Sequence, residues 1–137
     1  MLTDDDRALL DRPLHGLLTI PPAPGRLPAP RPVWFEPTPE GGVQLFSLVS
    51  SPKVRRLEAD PQATFVVVRP NGEPEGWVSI EADVTVHRDG AKELADRLAK
   101  RYWDDPDSDE HRATAAAWAD EDEIRRIVLH PRRVTRT

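Results

Sequence analysis

From Trp77 to His87 the chain alternates: Val78, Ile80, Ala82, Val84 and Val86 share one side, and Ser79, Glu81, Asp83, Thr85 and His87 the other. A period of two predicts a half-buried antiparallel strand. Four further stretches read as strands. Ala63 to Arg69 (ATFVVVR) is rich in β-branched residues and runs into the turn Pro70-Asn71-Gly72; Val43 to Val49 follows the turn Gly41-Gly42; His15 to Ile20 and Ile124 to His130 are shorter apolar runs. The period changes at Ala91, Leu94, Ala95, Leu98 and Tyr102, whose spacing predicts an amphipathic helix from about Gly90 to Trp103, broken by Asp104-Asp105-Pro106-Asp107. Shorter helices are expected after Thr3, ending near Arg12-Pro13, from Lys53 to Ala59, and through the alanines of His111 to Ala119. Five or six strands with only short helices between them argue against βαβ units and for a small antiparallel barrel or sandwich, mainly β in class.

The segment Leu27 to Phe35 breaks the pattern. Pro28, Pro30 and Pro32 alternate, and in a strand alternate N–H groups face the same neighbour, so one side loses three successive donors. Such a segment is a sheet edge, a bulge, or backbone left open beside a ligand or another subunit.

At 137 residues the chain has room for one domain, taken as residues 1–137. The fifteen prolines are concentrated in PPAPGRLPAPRP, and proline plus glycine stay below the roughly 25–30% that marks disorder. A net charge of −5 repels nucleic acid and anionic membrane, so neither is expected as a partner. Without cysteine there is no disulfide, thiolate nucleophile or cysteine-ligated metal. The acidic start MLTDDDRALL does not resemble a secretory signal, and no apolar run reaches the ~18 residues of a membrane helix, so a soluble cytoplasmic protein is expected.

Catalytic motifs are few. There is no GxSxG, HExxH, GxGxxG or GxxxxGK[ST]. His15, His87, His111 and His130 lack ligand spacing, so no metal site is expected. Glu81 and Asp83 share a strand face and could form an acid–base pair, although solvated strand carboxylates are common. The stretch Ser50-Ser51-Pro52-Lys53-Val54-Arg55-Arg56-Leu57 carries more. It suits a capped helix start with a solvated basic face, and it equally suits an anion cradle. In the second reading two hydroxyls, the free N–H groups of a first turn, Lys53, and Arg55 or Arg56 meet one oxyanion.

Arg31-Pro32-Val33-Trp34-Phe35, then an apolar strand, then Lys53-Val54-Arg55-Arg56-Leu57 with Asp60-Pro61 and the strand Thr64 to Val68, resembles the pyridoxamine 5'-phosphate oxidase-like split β-barrel proteins that bind flavins or deazaflavins. The resemblance is greatest to the actinobacterial branch that uses coenzyme F420, and it spans roughly Leu9 to Val86. It implies a split β-barrel, a homodimer, and a cofactor groove shared between subunits. It also implies that Pro32, Val33 and Trp34 flank the ring system, that Ser50, Ser51, Lys53 and Arg55 hold the phosphate, and that Arg31 is a further cofactor-binding residue. No side-chain nucleophile is implied, because the hydride chemistry belongs to the cofactor.

The expected function is therefore an F420-dependent reductase delivering a hydride to a small unsaturated or quinone-like substrate. An FMN-binding oxidoreductase and a cofactor-free binding domain are the alternatives. Five arginines from Arg125 to Arg136 could meet the coenzyme's acidic tail or simply form a solvated basic strand end.

Overall fold

Val78, Ile80, Ala82 and Val84 are all buried, and the strand that carries them, β6 (Trp77–His87), lies at the centre of the sheet. The computed structural model describes residues 1–137. Along the chain the elements are α1 (Asp4–Leu10), β1 (Gly16–Thr19), β2 (Arg31–Val33), β3 (Glu36–Pro37), β4 (Val43–Leu48), α2 (Pro52–Ala59), β5 (Gln62–Val68), β6, α3 (Ala91–Tyr102), α4 (Asp109–Ala115) and β7 (Ile124–Arg136). Single 3-10 turns at Ala116–Trp118 and Glu121–Glu123 lead into β7. Every strand pair is antiparallel, in the order β2-β1-β5-β6-β7-β4-β3.

Seven strands form where five or six were expected, and the last of them is longer than expected; each difference has a local cause. Glu36–Pro37 is too short to show a period, yet it pairs with Val43 and Gln44. The last strand runs past Pro131 to Arg136 because Pro131 pairs with Ala82 and Arg133 with Glu81, leaving Arg132 as the extra residue of a bulge. The bulge accommodates the missing proline donor. The Ala-rich helix starts two residues before His111 because the Ser108 side chain accepts the His111 N–H and caps it.

β2 and β3 occupy opposite edges of the sheet but are separated in sequence only by Trp34 and Phe35. The sheet therefore curls until its two edges meet at this dipeptide, giving an open half-barrel. The proline-rich segment is resolved as an edge: β2 pairs only with β1, and Pro32 sits opposite Leu17. Inside the curl, Leu10, Leu18, Phe35, Leu45, Leu57, Phe65, Ile80, Ile127 and Leu129 form the core, with Phe35 and Phe65 edge to face at 5.0 Å. Gly16 provides the room for that pair, since a Cβ there would lie 2.2 Å from the Phe65 ring.

Two contacts tie the ends of the curl. Arg136 donates to both carboxylate oxygens of buried Asp6 and to the Met1 carbonyl, joining the N-terminal helix to the last strand. Arg101 donates to the carbonyls of Leu10, Asp11 and Arg12, satisfying the acceptors left at the end of α1.

Candidate functional site

The start of α2 has the geometry of a capped helix. Ser51 is extended, its hydroxyl accepts the Lys53 N–H at 3.3 Å, and Pro52 takes the first helical position. Val54 and Leu57 face the core. Lys53 and Arg56, three residues apart, then share one flank, whereas Arg55 points away and is exposed.

That flank meets the β1–β2 connection across a cavity of about 320 Å³. Arg26, Arg31, Lys53 and Arg56 line it together with Ser51, and no carboxylate does. None of the four cations makes an ion pair anywhere in the molecule. Lys53 is half-buried, and burial pulls its ammonium below the usual lysine range with no neighbouring anion to offset the effect. In a chain of net charge −5 this is a locally positive, uncompensated pocket.

Beside it lies a second cavity of about 420 Å³, walled by Val33, Trp34, Phe46, Leu48, Trp103 and Trp118. Its only polar lining comes from the hydroxyl residues Ser47, Ser51 and Thr114. The rings brace one another: Trp103 and Trp118 stack at 5.4 Å, Trp34 meets Trp103 edge-on at 5.1 Å, and Phe46 meets Trp118 at 5.0 Å. His111 stacks on the far side of this group, 4.1 Å from Trp103, and Tyr102 stacks on Trp34 at 5.2 Å. Ser51 lines both cavities, so the charged and the aromatic compartments adjoin at the helix cap. The pair can accept a ligand that is anionic at one end and flat and apolar at the other.

Of the residues singled out in the sequence, Arg31, Ser51 and Lys53 meet in the cationic cavity, and Val33 and Trp34 in the aromatic one. Pro32, Ser50 and Arg55 line neither and are exposed. Arg26, Trp103 and Trp118 join the site without having been picked out. The available hint was compositional: Tyr102-Trp103 ends one helix and Trp118 is the one large apolar residue of an alanine-rich stretch.

The basic C-terminal strand is otherwise engaged. Arg132 faces Asp83 at 3.4 Å, Arg133 faces Glu81 at 3.6 Å, Arg136 holds Asp6 at 2.8 Å, and Arg125 and Arg126 donate to main-chain carbonyls. Glu81 and Asp83 are thus arginine partners across the β6–β7 ladder.

No protein-family model matches the chain, and no curated protein matches it. Solved structures do. An F420 reductase is similar at a TM-score of 0.74 with 23% identity, over 94% of this chain and 94% of its own. A candidate pyridoxamine 5'-phosphate oxidase from Listeria innocua aligns at 0.66 with 17% identity, over 96% and 94%. The heme storage protein HutZ from Vibrio cholerae aligns at 0.68 with 15% identity, over 98% and 93%. These likenesses establish the fold as the split β-barrel of the pyridoxamine-phosphate-oxidase type.

Proposed function

We propose that this chain is an F420-dependent oxidoreductase that transfers a hydride to a small organic substrate, acting as a single split-barrel domain in a cytoplasmic homodimer. The observation that carries the reading is the sharing of Ser51 between an acid-free cavity with four unpaired cations and a cavity walled by three tryptophans. A deazaflavin has that polarity: a flat ring joined to a phosphate-bearing chain. The fold likeness to an F420 reductase supports the same assignment.

In this reading Lys53 and Arg56 bind the phosphate with Ser51 and the first-turn N–H groups, and Arg31 and Arg26 close the cavity from the β1–β2 connection. An arginine can grip two oxygens of one group, and removal from water strengthens each of these contacts. Trp34, Trp103 and Trp118 orient the ring and exclude water from it. When bound, the coenzyme supplies the hydride chemistry, and no side-chain nucleophile takes part.

FMN is the second reading, favoured by the concentration of cations, which suits the dianion of a terminal phosphate. Heme has less support, because no His, Tyr, Met or Cys lines either cavity to serve as an axial ligand. Titrating the purified protein with F420 and following ring fluorescence, with FMN in parallel, tests the assignment. Saturable change with F420 supports it. An unchanged signal at micromolar protein with F420, together with binding of FMN, moves the assignment to the flavin; silence with both removes it. Light scattering tests the dimer, and a monomer at tens of micromolar would leave the groove without its second wall.

A further inference from the structure

A further cavity of about 640 Å³ shares no lining residue with the two compartments above. It lies over the outer face of β4, β6 and β7, with His87, His130 and Arg126 among its walls. His130 Nε2 lies 2.8 Å from the Thr85 hydroxyl, and His87 Nε2 lies 2.7 Å from the same oxygen. We infer that this cleft is a second, proton-coupled oxyanion site, in which Arg126 and the Thr85-bridged pair His87 and His130 bind a small-molecule phosphate or carboxylate.

The argument rests on hydrogen counting. The Thr85 hydroxyl has one hydrogen, so it donates to one Nε2 and accepts from the other. With both rings neutral, the donor ring carries its proton on Nε2 and leaves its Nδ1 bare, while the acceptor ring carries its proton on Nδ1. Neither Nδ1 has a partner within the protein. One added proton converts the bare Nδ1 into a second N–H donor and leaves both bonds to Thr85 intact. A second proton would force both Nε2 atoms to donate to Thr85 and place two cations on one hydroxyl. The pair therefore has room for one proton without losing either bond to Thr85, and in that form it carries two Nδ1–H donors and a positive charge. That is the complement of an oxyanion.

Arg126 lies beside this pair, opposite His87 in the β6–β7 register. It is anchored through Nε to the Asp89 carbonyl at 3.0 Å and through a long contact of 3.4 Å to buried Gln44, with the Asp89 carboxylate 3.9 Å away. Of the other charged groups around the cleft, two are held in ion pairs and two carboxylates are not. Arg97 from α3 is held by Glu36 at 2.7 Å, and Asp83, opposite His130 on β6, is held by Arg132 at 3.4 Å. Glu93 from α3, Glu40 from the β3–β4 turn and the amino terminus of Met1 lie among the walls. His87 is kept below the usual histidine range by burial first, then by Arg126 and His130, against an opposing pull from Asp89. A bound oxyanion reverses the balance, so binding is accompanied by proton uptake.

The test uses the full chain, with inorganic phosphate and acetate as separate probes, followed by the imidazole NMR resonances of its four histidines. The expected result is that phosphate, acetate or both shift His87 and His130 and leave His15 and His111 in place; which probe acts tells phosphate from carboxylate. Calorimetry in buffers of different ionisation heat should then show uptake of about one proton per anion. Thr85→Val should uncouple the two titrations and lower that uptake, and His130→Gln should abolish the response. Arg56→Ala should leave it unchanged, which separates this site from the cofactor assignment. Equal shifts at all four histidines, binding without proton uptake, or full uptake in Thr85→Val would overturn the inference.

Discussion

The Tyr102 hydroxyl lies 3.2 Å from the Phe35 N–H, which it accepts, and donates to the Leu14 carbonyl at 2.7 Å, with the Phe35 carbonyl also within 3.2 Å. Phe35 is part of the dipeptide where the two sheet edges meet, so a residue from the last turn of α3 satisfies backbone that no strand partner reaches.

Tyr102→Phe removes that partner while keeping the ring on Trp34. It should cost about 1–3 kcal/mol, the range for leaving a buried polar group unpaired. Urea unfolding followed by tryptophan emission measures it, and a midpoint equal to the parent's would show that the hydroxyl does not hold the seam.

Gly16→Ala places a methyl 2.2 Å from the Phe65 ring inside the Phe35–Phe65 pair. Overpacking of this kind costs about 1–3 kcal/mol. A lower Tm, with aromatic signals displaced in the near-UV spectrum, is the expected outcome.

Lys53→Ala and Arg56→Ala should each weaken cofactor binding by about 1.5–3 kcal/mol, the range for hydrogen bonds to charged groups. Arg55→Ala should leave binding unaltered, because Arg55 is exposed and lines neither cavity. Equal losses at Arg55 and Arg56 would contradict the assignment of the cationic cavity.

Trp118 comes from a segment with no buried residue; its ring meets Phe46, Trp34 and Trp103 and packs against the small buried cluster of Ala91, Ala95 and Ile124. Trp118→Ala should leave the fold in place, with a loss of about 0.5–1.5 kcal/mol per aromatic contact. It should also lower affinity for the ring end of the ligand more than for free phosphate. Calorimetry with cofactor and with phosphate separates the two effects.

Asp6 predicts a pH dependence. Burial by itself raises its pKa, but hydrogen bonds from Arg136 and Thr3 and the Arg136 charge outweigh burial and hold the carboxyl below the usual aspartate range. A group depressed on folding stabilises the native state above its unfolded pKa and loses that contribution as pH falls through the folded value. Stability should therefore drop below about pH 4, and Asp6→Asn should flatten the drop. An unchanged acid profile in Asp6→Asn would mean that other carboxylates dominate.

Much of the fold was legible because the elements concerned have a period. β6 alternates cleanly, α3 carries its apolar residues at helical spacing, and Ser51-Pro52 announces the start of α2. β3 was invisible because two residues cannot display a repeat, and the end of β7 was hidden because Pro131 reads as a stop unless the Arg132 bulge is known. About half of the candidate site was readable: Ser51 and Lys53 stand at a recognisable helix start, while Arg31, Val33 and Trp34 were reached through the family resemblance. Arg26, Trp103 and Trp118 come from connections and helix ends whose positions depend on the closure of the curl. The bridge from His87 to His130 was out of reach, because only the strand register carries both rings to Thr85.

Each free border of the sheet is very short and each contains a proline, Pro32 in β2 and Pro37 in β3. Such borders offer a neighbouring molecule almost no ladder to extend, which protects the protein from growing into aggregates by strand addition. Any self-association would then proceed through side chains on the curved faces, where surface complementarity sets both its extent and its end point.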